Sequence, residues 1–250
     1  MRHDEPAGFA NAYADQAYAG AYATLEFPNT YYLAFRDLPE LIARHVRGRR
    51  AVDFGCGAGR STRFLQRLGL QAMGVDVAAD MIRQAHAIDP GGPYRLIGKE
   101  GLLSLGRGGY DLVLSTFTFD NVPTRQAKVS LFGELRELLA EHGRIVNLVS
   151  SPEMYTHEWA SFSTRDYPEN RQARSGDVVR IVITDIPDPR PVQDVLWSDE
   201  AYREVYRAAG LEVLEVCRPL ALGTEPHPWV NETRVAPWTV YVLGAGEGRR

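Results

Sequence analysis

In the stretch AVDFGCGAGRST, residues 51–62, an apolar run ends on a carboxylate, Asp53, and three glycines follow at alternate positions, Gly55, Gly57 and Gly59. Glycine lets the main chain take positive φ and come close to a bound group. A helix that starts just after such a run offers N–H groups with no partner inside the helix. Several nucleotide sites share these properties, so the spacing has to separate them. A dinucleotide fingerprint needs glycine at the sixth position of G-x-G-x-x-G, where this chain has Arg60. A P-loop needs a Gly-Lys-Ser/Thr, which does not follow here. Asp53 would repel a pyrophosphate and suits a ligand with a positive end. A second carboxylate, Asp76 in GVDVAADM, follows the next apolar run. At that place in an α/β unit a carboxylate accepts hydrogen bonds from a ribose diol. A ligand with a ribose, a cationic end and no phosphate at the loop is required, and S-adenosylmethionine meets all three conditions.

These residues need a frame that brings them to one edge. From residue 50 onward, short apolar strands alternate with helical segments. Strands are predicted at Arg50 to Phe54, Gln71 to Val75, Tyr94 to Ile97, Tyr110 to Ser115 and Arg144 to Val149. Helices are predicted at Gly59 to Leu68, Ala79 to Ile88 and Thr124 to Glu141, the last stopped by Gly143. This alternation implies a parallel sheet covered on both faces. The rhythm breaks after residue 150, where a polar, aromatic stretch leads into Val178 to Thr184 and Val192 to Leu196, read as an inserted hairpin. Ser198 can cap a helix from Asp199 to Ala209, with Gly210 as its stop. Two last strands fall at Leu211 to Val216 and Trp238 to Leu243. Residues 9 to 47 read as helical with a break at Phe27-Pro28-Asn29. Tyr13, Tyr18, Tyr22, Tyr31, Tyr32 and Phe35 make this arm aromatic. The tail GAGEGRR is expected to fray.

VDFGCGAG followed by GVDVAADMIRQA resembles the first two motifs of the class I S-adenosylmethionine-dependent methyltransferases. YDLVLSTFTFDNVP is similar to that family's fourth-strand motif, and LRELLAEHGRIVNLV to its fifth strand and preceding helix. The resemblance implies an α/β, Rossmann-like, seven-stranded, mostly parallel sheet with helices on both faces. To it the chain would add an N-terminal helical lid and an inserted β-hairpin cap. The expected parts are 1–48 for the lid, 49–150 for the cofactor-binding core, 151–197 for the cap and 198–250 for the rest of the core. By the same resemblance, Gly55, Cys56, Gly57 and Gly59 lie along the methionine part of S-adenosylmethionine, whose product is S-adenosylhomocysteine. Asp53 would bond its amino end and Asp76 its ribose hydroxyls. Met81 or Val77 would lie near the adenine, and Ser115 would offer its carbonyl to the ammonium. Glu100, beside Gly101, stands in for the acid that usually meets the adenine amine. Arg36 is placed as a partner for the cofactor's carboxylate.

Each of these residues also has a plainer use. The glycines could serve tight helix–sheet packing, Asp76 a helix cap and Met81 the core. Cys56 is expected to be a small packing residue, although a helix N-terminus can lower a thiol pKa. Methyl transfer from a sulfonium demands alignment and exclusion of water, and no single catalytic residue is common to the family. The candidates are Asn121 after the fourth strand, Tyr155 and His157 in the insertion, and Asn231 before the last strand. Phe117, Phe119, Asp120, Glu158, Trp159, Tyr167, Trp229 and Glu232 share those loops.

The chain has 250 residues, a formal charge of −4, 44% apolar and 24% charged residues. This is ordinary globular composition, without the basic footprint of a nucleic-acid partner, so none is expected. No apolar run reaches the length of a membrane span, and MRHDEPAGFA lacks a secretory h-region. A cytoplasmic monomer or homodimer acting on a small-molecule acceptor, with no metal, is the expectation. N- or O-methyl transfer leads. A second possibility is a cyclase or lyase, in which the cofactor's own amine displaces methylthioadenosine to leave azetidine-2-carboxylate. A third is an inactive methyltransferase fold that only binds a partner.

Overall fold

A computed structural model describes Gly20 and residues 25–246. Tyr13, Tyr18 and Tyr22, most of the predicted N-terminal arm and the last tail residues lie outside them. The described chain runs α1 (Thr30–Arg36), α2 (Leu38–His45), β1 (Arg50–Phe54), α3 (Arg60–Arg67), β2 (Gln71–Asp76), α4 (Ala79–Ile88) and β3 (Tyr94–Leu96). It continues through β4 (Tyr110–Thr116), α5 (Arg125–Leu138), β5 (Leu139–Ser150), β6 (Phe162–Ser163), β7 (Val178–Ile183) and β8 (Val192–Val195). It closes with α6 (Asp199–Ala208), β9 (Leu211–Cys217) and β10 (Trp238–Ala245).

Seven strands form one sheet in the order β3-β2-β1-β4-β5-β10-β9. The first five are parallel, and β10 enters antiparallel between β5 and β9. The order reverses at β1, so the crevice beyond the carboxyl ends of β1 and β4 is the expected ligand position. Side chains alternate between two cores, as a sheet covered on both faces requires. Ala51, Leu112, Leu114, Val146 and Leu148 face α1 and α2. Val52, Val113 and Ile145 face α5 and α6. From residue 50 onward the predicted helices and strands are present, with ends shifted by a residue or two except where the long helix passes into β5. Ser198 caps α6 by accepting from Ala201 N.

One element departs from expectation. The helix predicted to Glu141 ends at Leu138, and Leu139–Ser150 is strand throughout. Leu139 pairs with Tyr110, so the main chain gains sheet partners where the helix would have projected past its neighbours. Gly143 therefore sits inside β5 and is no helix stop. Its role is space: a Cβ there would meet the Tyr110 carbonyl oxygen at 2.6 Å.

The insertion forms its own antiparallel sheet in the order β6-β7-β8, with Val178 opposite Val195 and Ile181 opposite Val192. Val179, Ile181, Ile183 and Val192 join the core on the α1 side. The hairpin is thereby laid over the carboxyl edge. A buried carboxylate fastens this cover: Glu232 Oε1 accepts from Thr30 Oγ1 at 2.6 Å and Ala160 N at 2.7 Å, and Oε2 accepts from Val230 N and Asn231 N. It ties α1, the insertion and the segment before β10 together.

Candidate active site

β1 delivers Asp53 fully buried into the loop at its carboxyl end. Its Oδ2 accepts from Ser61 Oγ at 2.7 Å and Thr62 Oγ1 at 2.6 Å, both on the first turn of α3. Its Oδ1 is buried without a partner. Burial pushes its pKa up to about 6, against the pull of the two hydroxyls. An unpartnered buried acceptor is costly, and a cationic N–H donor is what this one lacks.

The glycine loop has a specific shape. Gly55, Gly57 and Gly59 all have positive φ, at 72°, 53° and 83°. A Cβ on Gly55 would meet Thr118 Oγ1 at 2.1 Å, and one on Gly59 would meet Tyr94 at 2.6 Å. At Gly57 nothing is nearer than Met81 Sδ at 3.9 Å, so the loop surface there is open. Asp76 fixes the loop from β2, its Oδ2 accepting from Gly57 N at 2.9 Å and its Oδ1 from Ala78 N at 2.8 Å. Val77, the next residue, is 76% exposed although apolar, which suits a surface that a flat ring would cover. Met81 is buried beneath the loop. Ser115 is buried opposite Phe54, with its Oγ unpartnered. Gly101 takes φ 68°, while Glu100 is exposed and folds back toward Gly98. Cys56 is buried, which pushes its thiol pKa well up, so it packs and is not a reactive thiolate.

Two cavities meet at this edge. The first is lined by Leu25, Gly55, Gly57, Arg60, Ser61 and Phe117, among others. The second is lined by Tyr31, Phe117, Asn121, Phe162, Asp194 and Trp238, with Asp120, Ser150 and three aliphatic residues of the hairpin. Phe117 is the wall they share. It is held in the left-handed region at φ 63°, unusual for a bulky residue. Its N–H donates to the Leu148 carbonyl at 2.9 Å, so the β4–β5 ladder imposes this turn.

The predicted site residues divide. Gly55, Cys56 and Gly57 line the first cavity; behind that lining, Asp53 bonds Ser61, Asp76 bonds Gly57, Met81 lies under Gly57, and Gly59 and Ser115 adjoin lining residues in sequence. Arg36 lies elsewhere. Its guanidinium is engaged by Asp37, by the Leu220 carbonyl at 2.9 Å and by Glu225 at 3.3 Å. The cation at the first cavity is Arg60, which donates to the Glu26 carbonyl and lies 4.9 Å from the Tyr31 ring centroid. Asn121 lines the second cavity. His157 and Asn231 line a separate surface cleft. There His157 Nδ1 meets Thr156 and the Glu153 carbonyl, and Asn231 donates to the Glu158 carbonyl. Tyr155 is buried, its hydroxyl spent on Asp194 Oδ2 at 3.1 Å. Phe119 stacks on Phe132 in the core at 3.9 Å. Asp194 was missed by sequence reading. Its one signal was an acid at an inward position of the apolar run Val192 to Leu196. Among the described residues no group of His, Cys, Asp and Glu side chains is placed to hold a metal ion, and no helix is long and apolar enough to cross a membrane.

A doubly wound sheet with a glycine loop after β1 and a carboxylate after β2 defines a nucleoside-binding α/β domain. Residues 52–147, under half of the chain, match the methyltransferase domain family. The chain is similar to the ubiquinone biosynthesis O-methyltransferase of Methylococcus capsulatus, with 34% identity over 152 residues, 52% of this chain and 63% of that one. It is also similar to the ubiquinone biosynthesis O-methyltransferase of Burkholderia thailandensis, with 33% identity over 84 residues, 32% of this chain and 36% of that one. It therefore spans from about a third to under two thirds of these curated relatives. In fold it is similar to an S-adenosylmethionine-dependent methyltransferase from Clostridium acetobutylicum, with a TM-score of 0.61, 11% identity, and 90% and 94% of the two chains covered.

Proposed function

We propose that the protein transfers the methyl group of S-adenosylmethionine to a small molecule held in the chamber beyond Phe117. The observation that carries this is the shared wall: one residue, Phe117, lines both a glycine-loop cavity and a ring-lined one. Asp53 Oδ1 receives the cofactor's ammonium, together with the Ser115 carbonyl. Arg60, in place of Arg36, pairs with its carboxylate. Asp76 holds the ribose hydroxyls, Val77 covers the adenine and Gly101 lets the main chain approach it. The cofactor supplies an electrophilic methyl on a sulfonium, open to in-line displacement. Phe117 and Tyr31 supply ring faces that favour positive charge. The hairpin residues Ile181, Ile183 and Val192 keep water out of the chamber.

The test is incubation with S-adenosylmethionine, alone and with a pool of small amines, phenols and carboxylic acids, followed by mass spectrometry. S-adenosylhomocysteine formed only with the pool is the expected result. Methylthioadenosine formed from the cofactor alone would replace this reading with intramolecular cyclisation. Failure to bind either nucleoside would leave a binding subunit.

A further inference from the structure

The chamber beyond Phe117 has two kinds of wall. One is aromatic. The rings of Tyr31 and Phe162 lie 5.1 Å apart, Phe117 and Trp238 4.8 Å, and Phe162 and Trp238 5.7 Å. The other wall is acidic. Asp120 comes from the turn after β4 and Asp194 from β8 of the hairpin, and the two are only 4% and 8% exposed. Asn121 lies between these walls, donating to Asp194 Oδ1 at 3.4 Å, while its own carbonyl oxygen is buried without a partner.

Among the described residues two cations flank the chamber, and one is Arg60, 4.9 Å from the Tyr31 ring centroid and 6.0 Å from that of Phe117. The other, Lys128, lies buried behind the chamber, bonded to the Phe119 carbonyl and 5.0 Å from the Trp197 ring centroid. Lys128 interacts with both Asp120 and Asp194, and does not line the chamber. Two buried acids share Lys128, and burial together with the neighbouring Asp120 pushes the Asp194 pKa up to about 8, so a cation in the chamber would favour its ionised form. Asp120 is the better satisfied acid, since Ser150 N and Oγ both donate to its Oδ2 at 3.0 Å. Asp194 has the Tyr155 hydroxyl and the long Asn121 contact. A buried carboxylate held only by neutral donors is stabilised further when a cation reaches it. Ring faces and a carboxylate are the two surfaces that stabilise an ammonium away from water. They oppose a phenolate or a carboxylate by like charge.

Taking this chamber as the acceptor site of the reading above, we infer that the acceptor is an aliphatic amine, bound as its ammonium between the aromatic wall and Asp194. Asp194 then takes the N–H proton and becomes a neutral carboxyl. The freed nitrogen lone pair forms the N–CH3 bond, and the S–CH3 bonding pair stays on sulfur. Asn121 and Tyr155 are positioning residues that hold the Asp194 carboxylate toward the chamber.

Three probes of one shape separate the possibilities: cyclopentylammonium, cyclopentanol and cyclopentanecarboxylate, titrated calorimetrically into the protein saturated with S-adenosylhomocysteine. The cation is expected to bind at least tenfold tighter than the alcohol, with the carboxylate weakest. D194N should remove that tenfold preference and leave the alcohol's affinity within threefold. F162L, which trims the aromatic wall, should weaken the cation severalfold. Equal affinity for cation and alcohol, an unchanged preference in D194N, or no binding of any probe overturns the inference. S-adenosylhomocysteine affinity, measured in the same preparations, reports separately on the methyl-transfer reading.

Discussion

Thr62 Oγ1 and Ser61 Oγ donate to the same oxygen of Asp53, Oδ2, at 2.6 and 2.7 Å, and the other oxygen is left buried and unpartnered. With its pKa raised to about 6, Asp53 is ionised above that pH and neutral below it. A raised acid pKa means that stability is highest below the unfolded value near 4 and falls as pH rises through 6. A ligand ammonium reverses the sign, because it needs the ionised form. Affinity for S-adenosylhomocysteine should be flat above pH 7 and should fall as pH drops below 6, by up to about tenfold per unit. Calorimetric titration of wild type and D53N across pH 5 to 8 checks this. D53N should bind weakly and without the pH step.

Gly55 and Thr118 form a matched pair. G55A should cost at least ~1–2 kcal/mol from the left-handed backbone alone, with the overlap against Thr118 added. In the double variant G55A/T118G the overlap is gone, while the backbone cost at residue 55 remains and the Thr118 bond to the Phe54 carbonyl is lost. Urea unfolding should therefore show partial recovery. Full recovery would mean that φ at this position carries no strain, and no recovery would mean that Thr118 is not the obstacle.

The two arginines give opposite expectations. R60A should weaken S-adenosylhomocysteine binding about tenfold, the loss of one charge-assisted contact at ~1.4 kcal/mol. R36A should leave that affinity unchanged, because its guanidinium is spent on Asp37, Glu225 and the Leu220 carbonyl. The reverse result would restore Arg36 to the site.

Glu232 is a structural carboxylate. In E232A the Thr30 hydroxyl and the N–H groups of Ala160, Val230 and Asn231 lose their acceptor. At ~1–3 kcal/mol for each buried donor left unpaired, the melting temperature should drop sharply. Ligand binding in the chamber should suffer more than binding at the glycine loop, since the cover over the chamber is what Glu232 fastens.

Lys128 is buried, and burial lowers its pKa while Asp120 and Asp194 raise it. K128M removes the cation, which raises the folded-state pKa of both acids further. An acid whose folded pKa is raised loses stability as pH rises. K128M should therefore be closest to wild type near pH 5 and fall behind progressively toward pH 8, as read from thermal melts at both ends.

Local chemistry alone singled out the glycine loop and its two carboxylates. Asp53, the three glycines and Asp76 are consecutive features of one strand–loop–helix–strand unit, and their order follows from alternating apolar runs and glycine spacing. The sheet was legible for the same reason. What sequence could not show was the second cavity. Asp194 meets Asn121 and Tyr155 only because the hairpin folds back over β4 and β5. Phe117 becomes a partition only because its N–H pairs with Leu148 in a left-handed turn. Arg36 and Arg60 look equivalent as isolated cations, and packing puts Arg60 at the first cavity and Arg36 against Asp37, Glu225 and the Leu220 carbonyl. Gly143 reads as a helix stop until sheet pairing with Tyr110 shows that the strand has already begun. In each case the deciding partner is distant in sequence. Periodicity and spacing report on neighbours along the chain, whereas charge balance and hydrogen-bond satisfaction depend on what packing brings together.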